Sequence, residues 1–276
     1  MSLYITGDVH ADVESRFGYR RHPGVRQFTS NDIVVVLGDW GIPWNHTTAA
    51  GDHYKAKFMD SKPWTTIALR GNHDNTNLMR EMPQEEQFGG KVRRLAVTND
   101  KGETYICDHV FIIDEPTILT LEDERCLCIP GADSHDMGFD ATNPRGRAII
   151  DKSDPEWRTL LCKYHHHGTW CRILNETWWE DEAVDIEKCA ALLENENLNF
   201  DFIFTHDFPA IINEHYKRPG DPARMKSTKG ELYLEELRKT LNFDCWFHGH
   251  LHTNLQQLCP DDRIMGLYHS ILQIKE

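Results

Sequence analysis

Five times along this chain an apolar run with strand character stops at a short block of metal-ligating side chains. The run Leu3–Thr6 ends in Gly7-Asp8-Val9-His10, and Ile33–Leu37 ends in Gly38-Asp39. Thr65–Leu69 leads to Gly71-Asn72-His73-Asp74, and Phe200–Phe204 ends in Thr205-His206. Phe243–Trp246 leads to FHGHLHTN, which puts His248, His250 and His252 within five residues. The β-branched run Ile33–Val36 reads as a strand buried on both faces. Polar or amphipathic stretches long enough for helices, such as Ala49–Asp60, separate the early runs. Strands alternating with helices imply parallel pairing, and ligands of such sheets gather outside the carboxyl ends of the strands. Five ligand-bearing strand ends are therefore expected to converge on one site.

The last block reads either as histidines tolerated at a strand end or as ligands of one metal or of two adjacent metals, and the rest of the chain decides between them. Neutral imidazoles suit transition metals, and residues i and i+2 of an extended chain point to one face. His250 and His252 are expected to share a face on that ground, with His248 turned away, either behind the ligands or in the core.

The remaining chain is read around these blocks. No Pro/Gly/Ser-rich linker divides the 276 residues, so residues 1–276 are expected to form one domain. Residues 109–134 read as short strands with tight turns, the stretches around 181–197 and 229–241 as helices, and the tail Arg263–Glu276 as a closing hairpin. Residues 133–178 lack clear periodicity and read as an irregular insertion or cap. In it Arg145 and Arg147 are candidate phosphate contacts, and His165, His166 and His167 a solvated loop. No apolar run spans a membrane, and the N-terminus lacks the pattern of a signal peptide. The eight cysteines form no CxxC pair and read as reduced thiols of a cytoplasmic protein. A formal charge of −14 argues against nucleic acid and acidic membranes as partners.

The ordered blocks GDVH, GDWG, GNHD, THDF and GHLH resemble those of the calcineurin-like metallophosphoesterase superfamily, over residues 7 to 252. The resemblance implies an α/β fold, a four-layer α/β/β/α sandwich of two mixed sheets flanked by helices. It implies two divalent or trivalent transition metal ions (manganese, iron or zinc) bridged by Asp39. Asp8, His10 and His252 would complete one metal, and Asn72, His206 and His250 the other. The excess positive charge of such a centre would attract a small phosphorylated substrate into an otherwise acidic protein. The implied activity is phosphoester hydrolysis by attack of a metal-bridging hydroxide. His73 would sit beside the metals and serve the leaving group, with Asp74 orienting it.

Two features narrow the reading. LRGNHD is similar to a block of the serine/threonine protein phosphatases, but GDWGIPW lacks the later Asp and Arg of their GDxxDRG block. Phosphodiesterases, nucleotide pyrophosphohydrolases and nucleases of the superfamily are the alternatives, and the acidic composition opposes a nuclease. A metal-binding scaffold without turnover is the alternative outside enzymes, and it would have no evident need of His73.

Overall fold

The computed structural model of the chain describes residues 2–45, 48–134, 147–215, 227–254 and 263–276. β1 (Leu3–Thr6), β2 (Ile33–Val36) and β3 (Thr65–Leu69) run parallel and continue into β6 (Thr104–Ile113). Antiparallel β5 (Gly90–Thr98) and β4 (Gln84–Gln87) extend that side, and β14 (Ile271–Lys275) closes the other, antiparallel to β1. The result is a mixed seven-stranded sheet. In its centre Thr6 is paired with Val36 and Val36 with Ala68, so the loops carrying Asp8, Asp39 and Asn72 leave the sheet side by side.

A second, five-stranded sheet is also mixed. β8 (Glu124–Ile129), β11 (Asn199–Thr205), β12 (Asn242–His248) and β13 (Ile264–Gly266) are parallel, with β7 (Thr117–Leu121) antiparallel at one edge. Thr205 pairs with His248, which sets the loops of His206 and His250 next to each other.

Period-two alternation along these strands divides the apolar side chains among three cores. Val34, Val36, Ala68 and Ile112 face one way and pack with Val13 of α1 (Val13–Arg16), Ala56 and Met59 of α2 (Ala49–Asp60) and Met79 of α3 (Thr76–Arg80). Val35, Ile67 and Leu69 face the other way, onto Leu119, Cys126, Cys128, Phe204 and Phe247 of the second sheet. The outer face of that sheet, with Leu127, Ile203 and Trp246, is covered by Cys189 and Leu193 of α5 (Ile186–Leu193) and by Leu234 and Leu237 of α7 (Lys229–Thr240). Helices, sheet, sheet and helices make the expected α/β/β/α sandwich. The capping box of Thr228 and Glu231 starts α7, and Asp185 caps α5 by accepting from the Lys188 N–H.

Two expectations are corrected. The described part of the segment read as irregular holds β9 (Arg147–Ile150), α4 (Trp157–His166) and β10 (Trp170–Ile173), with the two strands paired in parallel. Its strands are four residues long and α4 buries no side chain, so no periodic signal of useful length exists there. His165 and His166 therefore close a helix. The tail is no hairpin either: β13 belongs to the second sheet and β14 to the first, and the chain crosses between them at Leu267–Ser270.

Candidate metal centre

The five blocks meet at the carboxyl ends of both sheets. Asp8, Asp39, Asn72 and His206 are all buried there. The Asp39 carboxylate lies between two groups of donors: its Oδ1 is 3.3 Å from His206 Nε2, and its Oδ2 is 3.6 Å from His10 Nε2. On the His10 side, His252 Nε2 is 2.9 Å from His10 Nε2 and 3.0 Å from Asp8 Oδ2. Ligand atoms of Asp8, His10, Asp39 and His252 all lie within 4.8 Å of one another. On the other side, Asn72 Oδ1 is 3.0 Å from His206 Nε2, and the His250 ring lies 4.9 Å from the His206 ring, centroid to centroid.

These atoms repel one another unless a cation lies among them. His206 Nδ1 lies 2.8 Å from the Leu37 carbonyl, to which it donates; this leaves a lone pair on Nε2 facing the oxygens of Asn72 and Asp39. Ligating histidines are oriented by just such a bond from the distal nitrogen. The inward Oδ2 atoms of Asp8 and Asp39 are buried and find no hydrogen-bond donor among the described residues. Burial alone would lower the pKa of His206, but Asp39 outweighs it and holds the ring up to about 10; Asp39 itself, despite burial, is held well below the usual range by His206. A proton thus takes the position for which a cation is suited. Among the described residues, then, the donor set fits transition metal ions.

The local backbone is shaped for this. His10, Asp39, His250 and His252 all have positive φ, between 48° and 66°. Such backbone is uncommon outside glycine and costs on the order of 1–3 kcal/mol per residue when the surrounding structure imposes it. His250 and His252 lie in the loop after β12 with left-handed backbone, so the extended parity read in the sequence does not apply to them. His248 ends β12 and is buried against Phe208, as expected. Two glycines make room. A Cβ at Gly71 would lie 2.2 Å from Asp39 Oδ1 and 2.7 Å from His206 Nε2. At Gly38, which also has φ +97°, it would lie 2.1 Å from His206 Nδ1.

His73 donates its backbone N–H to Asp39 Oδ1 (2.8 Å), and its ring stands edge-on to His10 (5.4 Å between centroids) and stacks on Trp44 at 6.5 Å. His10, Gly41, Trp44, Lys55 and His73 line a pocket of about 480 Å³ beside the donors. Trp40 is in the core. Asp74 is fully buried, accepting from Gly71 and Trp40 N–H on Oδ2 and from Gly41 N–H on Oδ1. Burial, then the charge of Asp39, raises it to about 7. Asp74 ties the loops after β2 and β3 together through their backbones, which revises the expectation that it orients the His73 ring. Arg70 is likewise removed from the cleft, donating to the carbonyls of Asp114, Asp181, Glu182 and Ala183.

Arg145 lies outside the described residues, as does the side chain of Arg147. Three other residues stand near the site: Ser134, in the stretch 131–136 that the sequence offers as pocket lining, and Glu182 and Arg172, which escaped sequence reading. Asn72 Nδ2 donates to Ser134 Oγ, and Ser134 donates through N and Oγ to Glu182, so a buried chain turns the Asn72 carbonyl toward His206. Arg172 on β10 brings two guanidinium nitrogens to 3.3 and 3.4 Å from the His73 ring nitrogens. The only sequence signal for Glu182 and Arg172 was a charge set in an apolar neighbourhood, WWEDEAV and WCRIL.

With this geometry in hand, comparison with known proteins defines the class. The calcineurin-like phosphoesterase family model matches residues 1–254, and the chain belongs to that family. It is similar to the lariat debranching enzyme of Drosophila melanogaster, with 21% identity over 290 residues that cover 97% of this chain. The match spans 46% of that relative's length. Among solved structures it is similar to the phosphopantetheinyl hydrolase of Mycobacterium tuberculosis, with a TM-score of 0.47 and 13% identity, over 99% of this chain and 95% of that one. Among the described residues no helix is long and apolar enough to cross a membrane.

Proposed function

We propose that the chain, as one domain, is a dinuclear metal-dependent phosphoesterase that hydrolyses a small phosphorylated substrate. The observation that carries the reading is the Asp39 carboxylate, with one oxygen 3.3 Å from His206 and the other 3.6 Å from His10. Asp8, His10, His252 and Asp39 would hold one ion; Asp39, Asn72, His206 and His250 would hold the second. Manganese, iron or zinc would, when bound, supply Lewis acidity and a water of lowered pKa. The chain's own residues do the rest. Asp39 keeps the two ligand groups in fixed relation. The Ser134–Glu182 chain orients Asn72. His73, held between His10 and Trp44, faces the pocket and gives a proton to the leaving oxygen. Asp74 fixes the backbone from which His73 projects. The β9–α4–β10 unit caps the cleft through Arg172, and Arg145 and Arg147 are further candidates for substrate contact. The seven described cysteines are free thiols, as a reducing cytoplasm would keep them.

Turnover of p-nitrophenyl phosphate and of its bis-ester by protein reconstituted with each metal tests the reading. Manganese-, iron- or zinc-dependent hydrolysis is expected, and its absence with all three refutes it. A second reading, lariat debranching, is favoured by the similarity to the Drosophila enzyme and opposed by the formal charge of −14. A debranching assay run beside the small-molecule screen separates the two.

A further inference from the structure

We infer that the pocket between α2 and the His73 ring is the subsite for the substrate's leaving group. It takes an aromatic ring that carries an anionic substituent, with Trp44 as the stacking face and Lys55 as the partner of the anion. The assignment rests on the proposed phosphoesterase reading and gives it a substrate class.

His10 and His73 border the donor cluster and also line this pocket of about 480 Å³. With the phosphate at the donors and its leaving oxygen at His73, the leaving group has this space beside it. A pocket of that size holds a ring with substituents. Its opposite wall is one stripe of α2 and its N-cap: Thr48, Gly51, Asp52 and Lys55 follow the three-four spacing of a single helix face. Gly51 leaves the stripe without a side chain, and a Cβ there would meet nothing within 4 Å. Glycine weakens a helix relative to alanine, so this room is kept open at a cost to α2.

Trp44 is mounted as a fixed wall. Its N–H donates to Asp52 Oδ2 at 2.9 Å, and its carbonyl accepts from Asn75 Nδ2 at 2.8 Å. Buried Trp179 stands edge-on to the indole at 5.4 Å between centroids, and the His73 ring lies within 25° of parallel to it. A half-buried indole held in this way offers a planar group a face on which to stack.

Lys55 supplies the charge. It is half-buried, and among the described residues it makes no hydrogen bond, ion pair or ring contact. Two other lysines of this region differ: Lys57 lies over the Tyr105 ring and Lys62 over the Phe58 ring. The nearby Asp52 carboxylate is engaged instead by the Trp44 N–H and, at 2.6 Å, by Thr48 Oγ1. An ammonium with three donors and no acceptor from the protein is suited to an anion brought in by the ligand.

The test assays metal-loaded wild type, Lys55→Met and Gly51→Leu with ethyl phosphate, phenyl phosphate and 4-carboxyphenyl phosphate. Melting temperatures confirm that each variant is folded. Ratios of kcat/KM between two esters, compared with the same ratio in wild type, cancel the intrinsic reactivity of the esters. Lys55→Met keeps the stem and removes the charge; it should lower the ratio of 4-carboxyphenyl to phenyl phosphate about tenfold. Gly51→Leu fills the open stripe; it should lower the ratio of phenyl to ethyl phosphate about 10- to 100-fold. Either ratio within twofold of wild type overturns the assignment. If wild type turns over none of the esters, the phosphoesterase reading fails. The esters are then stable ligands, and the same ratios taken from their Kd by calorimetry decide the subsite by the same criterion. Failure of wild type to bind phenyl phosphate in that measurement overturns the subsite as well.

Discussion

Replacing Gly71 with alanine should disable the metal centre while leaving the fold in place. The added Cβ would lie 2.2 Å from Asp39 Oδ1, 2.4 Å from the Asp39 backbone N and 2.7 Å from His206 Nε2. A comfortable contact needs about 3.4 Å or more, so Asp39 and His206 must retreat by about 1 Å. Metal–ligand distances tolerate only about 0.2 Å, so both groups would leave ligating range. An increase in metal Kd of about 100-fold is a conservative expectation. The overpacking itself should cost about 1–3 kcal/mol. Metal present at about 100 times the wild-type Kd stabilises wild type by about 2.7 kcal/mol, but the variant by only about 0.4 kcal/mol. For a chain of this size those figures become a metal-induced rise in Tm of about 5–10 °C against about 1 °C. Thermal scans with and without manganese or zinc read both terms at once. Gly24→Ala, whose Cβ meets nothing within 4 Å, serves as the control. A Gly71→Ala protein whose Tm rises with metal as much as wild type would refute the geometry of the centre.

Other substitutions divide the roles. Asp39→Asn should lower occupancy at both ion positions, which elemental analysis would register as loss of more than one equivalent. His73→Ala should keep its metal and lose about 10²–10⁴-fold in rate, less with p-nitrophenolate as leaving group than with an alkoxide. Burial raises Glu182 from 4.5 to about 7, partly offset by Ser134 and Arg172. The folded state then holds a proton that the unfolded chain releases, so metal-free stability should fall as pH rises from 4.5 toward 7, by at most about 1.4 kcal/mol per unit. Asp74, raised to about 7, adds a slope of the same sign, so urea unfolding across that range should show a steeper slope in wild type than in Glu182→Gln by that amount; equal slopes would assign it elsewhere.

Where the sequence was legible, strong local signals agreed with the tertiary outcome. The run Ile33–Val36 and the capped helix Lys229–Thr240 are present at the expected residues because apolar pattern and caps point the same way. Candidate ligands were legible because each block follows a strand, and strand ends in such sheets share one edge. The left-handed backbone that places His250 and His252 was not, since positive φ leaves no mark on those residue types. Nor was the role of Asp74, whose partners are backbone N–H groups of Trp40, Gly41 and Gly71. Backbone groups carry no sequence identity, so a carboxylate that serves them looks like any turn aspartate. Arg172 was hidden for a third reason: four-residue β10 has too little chain to show a period.

The candidate ligands come from both sheets: Asp8, Asp39 and Asn72 follow strands of the seven-stranded one, while His206, His250 and His252 follow strands of the five-stranded one. Neither half of the chain can therefore assemble the centre alone. A slide of one sheet over the other by a fraction of an ångström would detune the site even if every side chain kept its rotamer. The apolar layer between the sheets, with Val35, Leu69, Phe204 and Phe247, is in this sense an alignment bearing for the chemistry. Sequence drift in that layer is constrained by registration across the seam as well as by volume. Length changes in the chain are best tolerated at the opposite, amino ends of the parallel strands, where nothing has to meet.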